Sequence, residues 1–129
     1  MLSCLVDANQ TWAKNAPVLV LTVAALRFKR NGEENSSAIH DMGLASANLT
    51  VEATARGLAV HQMAGIIPDK AKELYHVPDG YQVVTAMAIG YAADPDQLPE
   101  KFKQRDLAPR TRRPQKEFVF EGRWGISKG

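Results

Sequence analysis

At 129 residues, with 45% hydrophobic and 23% charged side chains, the chain has the length and composition of one ordinary folded domain, not those of a disordered or membrane protein. A net charge of +2 is low for a nucleic-acid-binding chain, and a single cysteine, Cys4, excludes an internal disulfide or a paired-cysteine zinc knuckle. The longest apolar stretch, residues 16–26, is interrupted by Pro17 and Thr22 and reaches only about half the length that crosses a bilayer as a helix, so no membrane span is expected.

The opening MLSCLVDANQ has no basic cluster and carries Asp7, unlike a signal or transit peptide, and the cytoplasm is the expected compartment. Leu2, Leu5, Val6 and Trp12 recur near helical spacing, which predicts a helix ending before Pro17. Within it Cys4 reads as a small buried apolar residue, not a reactive thiol. The string VLVLTVAA at 18–25 is β-branched and apolar on both alternating faces, as a central strand covered on each side would be. RFKRNGEENSS is a mobile loop by composition. Residues 39–56 are small or apolar nearly all round. Gly43, Ala45, Ala47, Ala53 and Ala55 permit close approach, so the segment predicts a long helix buried both in a core and in a subunit interface. His40 and Asp41 start that helix, where an acid suits the positive end of the dipole, and Gly57 ends it.

LAVHQMAGI reads as a short apolar run leading into a loop, and Pro68 opens a short helix because its missing amide costs nothing in the first turn. VPDG is a turn, and residues 81–93 form a second interior strand. After a proline-broken turn, EKFKQRDLA makes a short solvated helix. The tail PRTRRPQKEFVFEGRWG alternates like a strand around Phe118 and Phe120, which lack partners nearby in sequence. An extended arm pairing with another element or subunit would explain them. The element order is α/β or α+β. Two strands are too few for a stable sheet, so further strands come from unrecognised neighbours or a partner chain.

No Gly-x-Gly-x-x-Gly, phosphate-cradling P-loop or Gly-x-Ser-x-Gly is present. His40, His61 and His76 lie too far apart to give a zinc site, and His61, in an apolar loop, reads as a satisfied core histidine. Arg110, Arg112 and Arg113 stand in PRTRRP between prolines that restrict the backbone. Guanidinium groups bind phosphate bidentately, although a solvated basic tail explains the run equally well. No aromatic residues interleave with these bases, which argues against nucleic acid. HQMAGI is a small-residue loop where a flat ring could approach main-chain amides, and a tight turn is the equally good alternative.

Four strings in order, NQTWAKNAPVLVLTVA, HDMGLASANLTVEATARGLAVHQMAG, PDGYQVVTAMAIGYAADPDQLPE and LAPRTRRPQKEFVFEGRWG, resemble the FMN-dependent nitroreductase-like family across nearly the whole chain. The resemblance implies an α+β fold, with residues 1–129 as a single domain corresponding to the family's C-terminal portion. It also implies a homodimer in which the long helix packs against its twin and the C-terminal arm embraces the other subunit. FMN would lie at the dimer interface and carry hydride from NAD(P)H to a nitroaromatic, quinone or similar small-molecule acceptor. By the same resemblance Arg110 and Arg112 match the positions that hold the FMN phosphate. Met63, Ala64 and Gly65 match the loop beside the reactive edge of the isoalloxazine, where a backbone amide faces N5. No catalytic side chain is implied, since hydride transfer is the flavin's chemistry. The family's N-terminal Arg-rich, Ser-containing motif and its Asn-x-Gln-Pro-Trp-type segment have no counterpart in this sequence. Two absent charge-assisted contacts, at roughly 1.5–3 kcal/mol each, would lower FMN affinity about a hundred- to ten-thousand-fold. The alternative implied is a catalytically silent scaffold that binds FMN weakly or not at all. Neither nucleic acid nor membrane is an expected partner.

Overall fold

Three segments, two of them apolar and β-branched, pair into an antiparallel sheet in the computed structural model, which describes residues 1–127. They are β1 (Val18–Ala25), β2 (Ala59–Met63) and β3 (Tyr81–Gly90), in the order β1-β3-β2. The run 18–25, which reads as central, therefore lies at one side, and β3 is the middle strand. The third strand is AVHQM, part of the run that reads in sequence as a short apolar stretch leading into a loop. Ala59 to Met63 pairs with Gly90 to Ala86, which supplies the missing strand within the chain.

β1 and β3 run in register from Val18 opposite Ile89 to Thr22 opposite Thr85, then shift so that Val84 is the extra residue of a bulge. The buried Thr22 hydroxyl sits at this irregularity. It accepts the Thr85 N–H at 2.9 Å and lies 2.8 Å from the Thr85 hydroxyl, so the interrupted ladder leaves no orphan there.

One sheet face carries Leu19, Leu21, Ala86, Ala88 and Met63 against Leu5, Trp12 and Ala13, and the core continues through Cys4, Ala71 and Val83. Cys4 is buried as its small apolar character suggests. The N-terminal helix is broken, however, into a 3-10 turn at Leu2–Cys4 and α1 (Asp7–Ala13). The cause is tertiary. Between them Leu5 bridges Ile66, Val6 N–H donates to the Gly65 carbonyl at 3.1 Å, and Ile67 N–H donates to the Cys4 carbonyl at 2.7 Å.

The opposite face is covered by α2 (Ala38–Ala55). Gln62 Nε2 reaches Thr50 Oγ1 on this helix at 2.9 Å, and Gln62 shares its register row with buried Met87 and with Val20. The helix ends as Gly57 implies. With φ at 76°, Gly57 N–H bonds the Thr54 carbonyl and Leu58 N–H the Ala53 carbonyl, a Schellman closure. Small residues all round do not give burial all round within one chain. Ala38, Ser46 and Ala53 face inward, whereas Leu44 is 52% exposed and Val51 70%.

α3 (Pro68–Tyr75) begins at its proline and ends at His76, whose φ of 51° is left-handed. RFKRNGEE is drawn into a small hairpin: Arg27 bridges Glu34, and Phe28 N–H donates to the Glu33 carbonyl at 2.8 Å.

The chain divides into two compact units, Met1–Ala92 and a second beginning at Ala93. In the second, the Asp94 carboxylate accepts the Asp96 N–H at 2.9 Å, Lys103 pairs with Asp96, and α4 (Glu100–Leu107) follows. KEFVFEG does not form a strand. A 3-10 turn occupies Gln115–Glu117, and Phe120 finds a local partner in Trp124, ring centroids 4.9 Å apart, across a loop closed by Glu121 N–H to the Ile126 carbonyl. Among the described residues, no helix is long and apolar enough to cross a membrane.

Candidate functional site

Beyond Met63 the chain leaves the sheet and turns within three residues. Ile66 N–H donates to the Ala64 carbonyl at 2.9 Å, closing a γ-turn on Gly65. The Gly65 carbonyl receives two donors from the N-terminal segment, Val6 N–H at 3.1 Å and Asn9 Nδ2 at 3.0 Å. Both turn carbonyls are thus engaged. Among the described residues neither Ala64 N–H nor Gly65 N–H has a protein acceptor, although the next two amides, Ile66 and Ile67, are both paired. A backbone amide is an obligatory donor, so this turn presents hydrogen-bonding capacity to whatever lies beside it.

Each residue of the loop offers something different. Met63 is 3% exposed, its side chain is part of the core, and its role is to anchor the turn to the sheet. Ala64 is exposed and small. Gly65 is required by packing: a Cβ there would stand 2.6 Å from Asn9 Nδ2 and 2.9 Å from Val6 Cγ2. The tight-turn explanation of Ala-Gly therefore holds on the side facing α1.

His61 is not a core histidine. It lies exposed on β2, two residues before Met63 and on the same strand face, with its ring 4.6 Å from that of Trp12 at 60°. His40 is exposed in the first turn of α2, and His76 is exposed at the end of α3. Among the described residues no group of three or more His, Cys, Asp or Glu could hold a metal ion.

Arg110 and Arg112 belong to the second unit, and both are exposed. Arg112 Nη1 donates to the Thr111 carbonyl at 3.0 Å. Arg113 is the engaged member of the run, with Nε 3.1 Å from the Glu117 carboxylate. Among the described residues Arg110 and Arg112 carry no carboxylate partner, which leaves the Arg110 fork and the remaining donors of Arg112 open to an anion. Asn9 escaped the sequence reading, because its partner lies 56 residues away and no local pattern marks a side chain that bonds a distant carbonyl.

Comparison with known proteins gives a consistent picture. The profile described as "Nitroreductase family" matches residues 4–91. An uncharacterized 15.4 kDa protein in the ask 5′ region of Mycolicibacterium smegmatis is 34% identical over 127 residues, 96% of this chain and 82% of that protein. A crystal structure of an oxidoreductase containing FMN superimposes with a TM-score of 0.88 at 31% identity, covering 98% of this chain and 65% of that one. This chain thus spans just under two thirds of that oxidoreductase. NfrA2 of B. megaterium superimposes with a TM-score of 0.70 at 23% identity, over 95% of this chain and 52% of its own, a likeness of fold.

Proposed function

The chain belongs to the nitroreductase family, and from that premise we propose that it is an FMN-dependent oxidoreductase acting as a homodimer. In this reading NAD(P)H is the reductant, and a nitroaromatic, quinone or similar small molecule is the acceptor. The observation that carries it is the pair of unpaired amides at Ala64 and Gly65, on a turn whose carbonyls are already engaged. Such a turn is a donor site for the acceptor edge of a flat heterocycle. FMN, when bound, supplies the hydride chemistry, because its ring both takes up and gives out two electrons with a proton.

The chain's own residues do the holding. Met63 ties the turn to the sheet, and Ala64, without bulk, leaves the amides accessible. Arg110 and Arg112 neutralise a phosphate through their planar forks. A second copy would pack on the exposed apolar face of α2, at Leu44 and Val51. No side chain is assigned as acid or base, and cytoplasmic residence is part of the same proposal.

A dimeric scaffold without catalysis is the second reading, favoured by that same α2 face, which needs no cofactor to bury it. FMN titration followed by flavin fluorescence, then NAD(P)H oxidation with a nitroaromatic or quinone, separates the two. Saturable binding with turnover supports the oxidoreductase. Binding without turnover leaves the scaffold, and no binding at high micromolar FMN ends the flavin reading for this chain.

A further inference from the structure

Resting on that flavin reading, we propose that Asn9 is a positioning residue: it fixes the direction in which the turn after β2 presents its free amides. The geometry is specific. Val6 and Asn9 are one helical turn apart at the start of α1, with Asn9 N–H on the Val6 carbonyl at 2.8 Å. That turn brings two donors, Val6 N–H at 3.1 Å and Asn9 Nδ2 at 3.0 Å, onto the single Gly65 carbonyl. Because the peptide is planar, a carbonyl held toward α1 sends the Ile66 N–H the other way, where it meets the Ala64 carbonyl at 2.9 Å. Glycine is the most permissive backbone position, so an unheld Gly65 would act as a swivel. Asn9 opposes that rotation by its hydrogen bond, and the same side-chain nitrogen, 2.6 Å from where a Cβ would stand, is why a residue less free than glycine does not fit there. An aspartate of the same shape would turn an oxygen toward the carbonyl and reverse the interaction.

Gln10 provides an internal control. Its Nε2 donates to the Leu5 carbonyl at 2.7 Å, a bond of the same kind from the next residue of α1, but it does not touch the turn. Three measurements on wild type, Asn9→Asp, Asn9→Ala and Gln10→Ala test the assignment: amide hydrogen exchange at Ile66 without flavin, the Kd for FMN, and the midpoint potential of bound FMN. Losing one neutral hydrogen bond that orients the donors should raise the Kd roughly three- to tenfold in both Asn9 variants. Exchange at Ile66 should rise and the potential should move, while Gln10→Ala stays at wild-type values. Wild-type exchange and Kd in both Asn9 variants would overturn the proposal. So would a Gln10→Ala chain that matches them on all three readouts, since the effect would then be general loosening of α1. A wild-type chain that binds no FMN refutes the flavin reading instead, and the exchange rates alone then decide whether Asn9 holds the turn.

Discussion

Changing Val51 to Arg separates the fold of one chain from the association of two. Val51 is 70% exposed on the outer face of α2, seven residues from Leu44, itself 52% exposed, with Ala47 between them on the same side. At that exposure the side chain contributes little to the single chain, and Val51→Arg should change its stability by no more than about 0.5 kcal/mol. Across a two-fold axis the substitution counts twice. Each copy forfeits roughly 1–1.5 kcal/mol of apolar burial. Each also places a guanidinium in the contact without a partner, which costs several kcal/mol more. A total of at least about 6 kcal/mol weakens the dimer by more than about ten-thousandfold. Sedimentation velocity over a dilution series, beside a thermal melt by circular dichroism, reads both quantities. A variant that sediments as a dimer with wild-type Kd refutes the placement of α2 at the interface. A variant that loses its cooperative melt puts Val51 in the fold of the single chain.

Other substitutions test the sheet and the turns. Thr22→Val removes the hydroxyl that serves Thr85 at the bulge and should cost about 1–3 kcal/mol in urea unfolding; an unchanged midpoint would mean that the bulge is satisfied otherwise. His76→Gly relieves a left-handed residue at the end of α3 and should stabilise by about 0.5–1 kcal/mol, whereas a lower melting temperature would reveal a contact of the imidazole that outweighs the strain. Gly90→Ala sets a Cβ 2.7 Å from Pro17 Cδ and should destabilise by about 1–3 kcal/mol; a neutral effect would show that the proline yields.

What the sequence disclosed depended on how local the cause was. β1, α2 and α3 announce themselves through β-branched runs, small-residue periodicity, Pro68 and Gly57, all acting within a few residues. β2 does not, because AVHQM is five residues with two polar side chains, and only pairing with β3 makes it a strand. The N-terminal helix reads as continuous until the Leu5–Ile66 bridge and the bonds of Val6 and Ile67 claim its backbone for a partner some sixty positions away. At 115–121 the alternation gives no strand in the single chain, where Phe120 packs on Trp124 four residues later and Trp124 itself stays 91% exposed.

The site was legible in the same uneven way. Resemblance selected Met63, Ala64 and Gly65, while the residues alone said no more than a small-residue loop. The free amides and the Asn9 clamp are products of tertiary structure and leave no mark on local composition. The long helix was legible as one that others approach closely. Which face stays open in the single chain depends on where the sheet lies.

The most direct test is an amide-resolved NMR titration of the 15N-labelled chain with FMN. The expected result is saturable displacement of the Ala64 and Gly65 resonances together with the Arg110 and Arg112 side-chain signals. FMN binding that leaves the Ala64 and Gly65 amides unmoved, or no binding at high micromolar FMN, would contradict the assignment.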